Sequence, residues 1–141
     1  MDAMQQKRLL VLGGTLSTYD VVKTAKAMGL YVIVADYLDG GVSKAIADEA
    51  VLVSTTDMEA LTRLIREKNI DGVFTGASEF NIRNMIELCH RSGLPCYATM
   101  EQWNLFSNKQ RFKNACRRYG VPVIPEYSVE TQADMTRSTA P

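Results

Sequence analysis

The sequence predicts an α/β domain in three layers, with helices on both faces of a five-stranded parallel sheet in the strand order 3-2-1-4-5. Short, continuous apolar runs predict buried strands, because both faces of a parallel sheet are covered. Segments with apolar residues at helical spacing separate these runs. The connections between the segments are short, and the sequence contains no internal repeat.

Each strand is predicted from an apolar or β-branched run that glycine, proline or acidic residues border. The predicted strands are Arg8–Leu12, Tyr31–Ala35, Ala50–Val53, Gly72–Thr75 and a short fifth strand, Pro95–Tyr97. A proline at the start of the fifth strand suits the edge of a sheet. The predicted helices of this part are Thr18–Met28, a short piece around Lys44–Ala47, one after the capping pattern of Thr56 and Glu59, and one from Ser78 to about Gly93.

The last third of the chain is predicted to be helical. Thr99–Gln102 and Ser107–Gln110 match the pattern in which two side chains satisfy the free amides at a helix start. We therefore predict four parts: an N-terminal extension (1–7), the α/β domain (8–98), a helical connection (99–125) and a tail (126–141). The tail is either disordered or the start of a further domain.

Composition and charge exclude several classes of protein. The chain has 141 residues, of which 46% are hydrophobic, and this favours a single domain with its own core. Sixteen basic and sixteen acidic residues give no net charge, which disfavours a nonspecific nucleic-acid binder. No apolar run approaches the ~20 residues of a membrane span. Three cysteines without metal or redox spacing predict a reduced, cytoplasmic protein.

The first candidate binding site is the turn that follows strand 1, Gly13-Gly14-Thr15-Leu16-Ser17. Glycines allow backbone amides to approach an anion, and the next helix adds its positive end. Thr15 and Ser17 can donate hydroxyl hydrogen bonds to a phosphate or carboxylate. A full Gly-x-Gly-x-x-Gly pattern is missing, so a simple strand-to-helix turn remains open as the alternative.

Two further candidates follow strands 2 and 4. Asp36 stands where dinucleotide-binding folds place the acid that binds ribose hydroxyls, and the alternative is a loop acid or a helix cap. Glu79 can accept a hydrogen bond from a ligand, whereas Ser78 and Glu79 can also be an ordinary cap and first-turn acid. Parallel strands end at one edge of the sheet, so these sites are expected to lie together with the glycine-rich turn.

A basic helix is the fourth candidate. Lys109, Lys113 and Arg117 share one helical face, which can meet a phosphate, an RNA backbone or an acidic partner, or can simply be solvated. His90 has no neighbour at ligand spacing, and no arrangement of residues predicts a catalytic set or a metal site.

The order of these pieces resembles the N-terminal, Rossmann-like (pre-ATP-grasp) domain of the ATP-grasp superfamily, which includes carbamoyl phosphate synthetase large subunits and biotin carboxylase. The similar stretches cover residues 8–125 and are Leu9–Thr15, Gly29–Asp36, Ala47–Val51, Lys68–Val73, Gly76–Glu79, Asn108–Phe112 and Gly120–Pro125.

The resemblance implies an enzyme that activates a carboxylate as an acyl phosphate, with ATP and Mg²⁺ held by the domains that follow. It implies that the loop matching Gly13–Ser17 and the acid matching Asp36 lie near the substrate, and that Lys109 lies near ATP. The phosphate-covering glycine loop and the magnesium-binding carboxylates of the family have no counterpart here. We therefore expect these 141 residues to bind no cofactor tightly and to be inactive alone.

The expected partners are a small-molecule substrate and an absent C-terminal ATP-grasp domain, with neither a membrane nor nucleic acid. A homodimer is left open. Two alternatives also remain: a stand-alone nucleotide- or dinucleotide-binding Rossmann module, and an interaction module that uses the basic helix.

Overall fold

The computed structural model describes residues 6–125, so the predicted tail and most of the predicted N-terminal extension lie outside the described residues. Four parallel strands form one sheet in the order β3-β2-β1-β4. The strands are β1 (Arg8–Leu12), β2 (Tyr31–Asp36), β3 (Glu49–Leu52) and β4 (Gly72–Thr75). The helices of this range are α1 (Tyr19–Ala27), α2 (Val42–Ile46), α3 (Met58–Lys68), α4 (Glu79–Ser92), α5 (Met100–Ser107) and α6 (Lys109–Arg118).

Helices cover both faces of the sheet, which confirms the predicted three layers. Side chains of a strand alternate between faces, so Leu10 and Leu12 lie in one buried cluster and Val11 lies in the other. The first cluster joins the sheet to α3 and α4 through Leu61, Leu64, Ile65, Met85, Ile86, Leu88 and Cys89. The second cluster joins it to α1 through Val22 and Ala25, with Ile46 of α2 packed against it.

The predicted fifth strand is wrong. Residues 95–97 form no strand, and within residues 6–125 β4 pairs only with β1. Pro95 has no amide hydrogen to donate, and only six residues separate the end of the turn at Gly93 from α5, which begins at Met100. Tyr97 instead contacts Phe74 of β4 through its ring, with the centroids 6.0 Å apart.

Two helix starts lie one residue beyond the predicted caps. Asp57, not Thr56, caps α3, and its Oδ1 accepts from the Ala60 amide at 2.9 Å. Asn108, not Ser107, caps α6 in the same way. An aspartate or asparagine next to a hydroxyl residue competes for the capping position, because its side chain also accepts from the third amide of the helix.

We expect Asp57→Ala to lower the free energy of unfolding by about 1 kcal/mol, because an amide of the first turn loses its acceptor. Thr56→Ala is the matched control and should change stability far less. Urea denaturation of both variants measures the difference, and equal losses would contradict the assignment of Asp57 as the cap.

The chain divides into two compact units with the boundary between Asn104 and Leu105. Trp103 packs against the core of the first unit. In the second unit, the rings of Phe106 and Phe112 lie 5.8 Å apart, centroid to centroid. The predicted boundary after residue 98 stays a prediction. Among residues 6–125, no helix is both long enough and apolar enough to cross a membrane.

Candidate functional site

The glycine turn, residues 13–17, follows β1 directly. Gly13 has φ +101°, a conformation that glycine adopts without steric cost. Its amide donates to Ala35 O at 2.9 Å, and the Gly14 amide donates to Oδ2 of Asp36 at 2.7 Å. The turn is therefore held against the carboxyl end of β2.

The carbonyl groups of Gly13, Gly14 and Thr15 all accept hydrogen bonds from the protein. Gly13 O accepts from the Thr18 hydroxyl at 2.7 Å. Gly14 O accepts from the Ser43 amide at 3.2 Å, and Thr15 O accepts from the Ser43 hydroxyl at 2.6 Å. Hydrogen bonds from Thr18, which precedes α1, and from Ser43 of α2 thus fix the orientation of these peptide groups.

Three amides at this point have no acceptor within residues 6–125: those of Thr15, Leu16 and Ser17. The next amide, that of Thr18, donates to Thr15 O at 3.1 Å. Thr15 and Ser17 are exposed, and their hydroxyl oxygens lie 3.0 Å apart. Unpaired amides at the positive end of a helix attract anions. We call these three amides and two hydroxyls the anion cradle.

Asp36 turns its carboxylate into the protein. Its side chain is buried, with 6% of the residue exposed. Oδ2 accepts from the Gly14 amide, and Oδ1 accepts from the Leu38 amide at 2.8 Å. Asp36 therefore holds the turn in place, and this geometry weighs against the interpretation in which it binds ribose hydroxyls.

Two residues of α2 that sequence reasoning missed complete the support of the turn. Ser43 binds two of its carbonyl oxygens, as described above. Lys44 is 8% exposed, and its ammonium group donates to Asp36 O at 3.0 Å and to Leu38 O. Nothing in the sequence separates this lysine from a surface lysine, because α2 has only five residues and shows no clear apolar face.

The corner after β4 reaches the same edge of the sheet. A Cβ atom added to Gly76 would overlap Ser17 O and would lie 2.7 Å from Ser17 C, so the two backbones are in direct contact. Ser78 caps α4, and its hydroxyl accepts from the Asn81 amide at 3.4 Å. Glu79 is exposed and has no hydrogen-bond or ion-pair partner in the described range.

The structure thus places the seven predicted ligand-binding residues of the α/β domain along one edge of the sheet. Gly14 contacts Asp36, and Ser17 contacts the loop that leads to Ser78. The residues are Gly13, Gly14, Thr15, Ser17, Asp36, Ser78 and Glu79. Their roles in binding stay predictions.

Asn81 is a second residue that the sequence did not single out. Its Nδ2 donates to Leu12 O at 3.4 Å, and the Thr75 hydroxyl donates to the same oxygen at 2.8 Å. These contacts tie α4 to the end of β1. The Oδ1 atom of Asn81 is buried without a partner in the described residues.

Lys109 is the first residue of α6 and is exposed, next to the capping Asn108. It belongs to the second compact unit. On the same helix, Arg117 donates to Oδ1 of Asn114 at 2.9 Å. The predicted place of Lys109 near ATP stays a prediction.

The described residues offer neither a metal centre nor a reactive thiol in the core. Within residues 6–125, no three carboxylate, imidazole or thiol side chains lie close enough together to hold a metal ion. Burial, with the nearby Cys96 thiol as a second cause, raises the pKa of Cys89 to about 12, so Cys89 remains a neutral thiol at pH 7.

The fold is of the Rossmann-like class: a parallel sheet between two helical layers, with the candidate site at the carboxyl ends of β1, β2 and β4. No protein-family model matches the chain. The formate-dependent phosphoribosylglycinamide formyltransferase of Prochlorococcus marinus (strain MIT 9303) is 24% identical over 134 residues. That alignment covers 95% of this chain and 34% of the relative.

Solved structures have the same fold. N5-carboxyaminoimidazole ribonucleotide synthetase from Thermotoga maritima superposes with a TM-score of 0.72 at 22% identity, over 96% of this chain and 37% of that one. N5-carboxyaminoimidazole synthetase from Staphylococcus aureus, solved in complex with ADP, gives a TM-score of 0.67 at 20% identity, over 94% and 34%. The chain thus spans about one third of the length of these proteins. It is similar to the N-terminal, pre-ATP-grasp part of ATP-grasp enzymes.

Proposed function

We propose that the chain forms the substrate-side, N-terminal domain of an ATP-dependent carboxylate–amine ligase or of a carbamoyl-phosphate-synthetase-like enzyme. The order of its motifs and its similarity to the N-terminal part of ATP-grasp enzymes support this proposal. In such an enzyme, ATP phosphorylates a carboxylate, and a nucleophile then displaces phosphate from the acyl phosphate. Lys109 is proposed to lie near ATP in the longer enzyme.

The single observation that carries the role of this domain is the anion cradle. Three amides without an acceptor lie beside two hydroxyls that bond each other, which leaves one hydroxyl hydrogen for a ligand, and the α1 dipole adds to the attraction of an anion. We propose that the cradle binds the phosphate or carboxylate of a small-molecule substrate. The relative from P. marinus is named for a phosphoribosyl substrate, which is consistent with a phosphate in this place.

Glu79 is proposed to bind a hydroxyl or amine of the same substrate. It is exposed at the corner that contacts Ser17, and no group of the described residues uses its carboxylate. An acceptor beside an array of donors suits a substrate that carries an anion at one end and a hydrogen-bond donor nearby.

ATP and Mg²⁺ are proposed to be held by other parts of the longer enzyme, since the family's phosphate-covering glycine loop and magnesium-binding carboxylates have no counterpart in this sequence. We therefore expect the chain alone to release no ADP in a carboxylate-dependent manner. The alternative of a stand-alone dinucleotide-binding module is disfavoured by Asp36, because both of its carboxylate oxygens already accept backbone amides. A cytoplasmic location, predicted from the cysteines, is part of this proposal.

Titration of the isotope-labelled chain with inorganic phosphate tests the cradle. We expect the amide resonances of Thr15, Leu16 and Ser17 to shift at millimolar phosphate, whereas adenosine, which has ribose hydroxyls and no anionic group, should not shift the Gly14 and Leu38 amides that bond Asp36. Leu16→Pro should weaken phosphate binding about tenfold, because it removes one donor to a charged group. The backbone accepts this change, since Leu16 is exposed and Thr15 before it is extended at ψ 178°.

Leu16→Ala is the matched control, because it shortens the side chain and keeps the amide. It should bind phosphate as the unaltered chain does. Absence of any shift at the three amides would refute the proposed cradle, and equal binding by both variants would refute the role of the Leu16 amide.

A further inference from the structure

Lys44 of α2 is a buried lysine that has no role in the proposed function. Lys44 runs beneath the glycine turn: its Cγ would lie 3.3 Å from a Cβ atom added to Gly14. Its ammonium group donates to the carbonyl oxygens of Asp36 and Leu38. These two carbonyls belong to the residues that are also joined by a hydrogen bond from the Leu38 amide to the Asp36 carboxylate.

The charge of Lys44 has no ion-pair partner within 4.0 Å among residues 6–125. Its recorded hydrogen-bond acceptors are neutral carbonyl oxygens, and the residue is almost fully buried. The same segment carries the Asp36 carboxylate, which accepts from the amides of Gly14 and Leu38. Burial of an ammonium group without an ion-pair partner lowers the stability of a fold. A buried lysine of this kind therefore indicates a functional role.

We propose that Lys44 is a positioning residue of the anion cradle, and that its buried charge gives the cradle a preference for doubly charged anions. The chain of contacts is short: Lys44 holds the Asp36–Leu38 segment, Asp36 holds the Gly14 amide, and Gly14 begins the turn that carries the cradle. The positive charge of Lys44 offsets the negative charge of Asp36, whose carboxylate bonds the Gly14 amide directly. Loss of the lysine charge would leave a buried negative charge beside the cradle, which repels an anion more strongly the more charge the anion carries. This inference rests on the proposed function.

The test compares two phosphate esters at pH 8: methyl phosphate, which carries two charges, and dimethyl phosphate, which carries one. We expect the unaltered chain to prefer methyl phosphate. Lys44→Met should weaken methyl phosphate binding about tenfold and dimethyl phosphate binding clearly less, because the electrostatic effect scales with the ligand's charge. Lys44→Arg, which retains the charge, should recover most of the preference.

Lys26→Met is the matched control, because Lys26 also bonds a carbonyl oxygen of α2 (that of Ile46) and forms an ion pair with Asp48 away from the cradle. It should leave both affinities unchanged. Equal weakening of the two esters by Lys44→Met would show a purely structural role and overturn the charge claim. Unchanged binding would overturn the inference entirely while the cradle itself stands.

Hydrogen exchange separates the inference from the proposed function. If the unaltered chain binds neither ester, the cradle is refuted, and the positioning role is judged on the Gly14 and Leu38 amides alone. We expect Lys44→Met to speed exchange at both amides. Both donate to the Asp36 carboxylate, and without Lys44 the main chain of the Asp36–Leu38 segment loses the hydrogen bonds that hold it. Exchange as slow as in Lys26→Met would overturn the positioning role.

Discussion

Gly76→Ala should destabilise the fold by about 3 kcal/mol, as expected for a new methyl group forced against the backbone of another segment. The added Cβ would overlap Ser17 O and would approach Cγ2 of Thr18 to 3.3 Å. Neither neighbour can move easily, because Thr18 is fully buried and its hydroxyl bonds the glycine turn. Chemical denaturation measures the loss.

Gly72→Ala is the control for this variant, since Gly72 begins β4, the strand that ends immediately before Gly76. Its added Cβ would meet only Cδ1 of Leu9 at 3.7 Å, an ordinary contact. We expect this variant to be close to neutral. If the two variants unfold at the same denaturant concentration, the close approach of Gly76 and Ser17 is refuted.

A further consequence of Gly76→Ala is weaker phosphate binding, because the two loops of the site would be pushed apart.

Asp36→Asn should cost about 2 kcal/mol of stability, because it leaves a buried amide hydrogen without an acceptor. The carboxylate accepts one backbone amide on each oxygen, whereas a carboxamide has one acceptor oxygen and would direct its NH₂ group at the second amide. The measurement is the midpoint of urea unfolding at pH 7.

Asp39→Asn is the comparison for this variant, since Asp39 is exposed in the following loop and has no recorded partner in the described residues. It should unfold as the unaltered chain does. An Asp36→Asn variant as stable as Asp39→Asn would mean that Asp36 is free for a ligand, and the dinucleotide alternative would then regain support.

Much of the fold could be predicted from the sequence, because burial on two faces leaves a plain pattern. The run Leu9–Leu12 has to be apolar throughout when helices cover both faces, and it forms β1 as predicted. The order of strands 3-2-1-4 and the parallel pairing are likewise confirmed. The fifth strand failed because Pro95 has no amide hydrogen to donate to a neighbouring strand, and Tyr97 contacts β4 through its ring instead.

The placement of the candidate site could be predicted, but the direction of its side chains could not. The predicted ends of parallel strands indicated that Gly14, Asp36 and Ser78 lie at one edge of the sheet, and they do. The Asp36 side chain faces the protein because it accepts from the Gly14 and Leu38 amides. The positions of these two amides depend on the path of the backbone after β1 and β2, which no local sequence pattern specifies. The burial of Lys44 depends on the same path, so no local pattern indicates it.

The hydrogen bonds that engage every carbonyl oxygen from Gly13 to Thr15 have one more consequence. They orient the donors of the turn before any ligand arrives, so little backbone entropy remains to be lost when an anion enters. Preorganisation of this kind favours rapid association without a slow conformational step, and it lets a small set of neutral donors hold a charged group that surface lysines would hold only loosely.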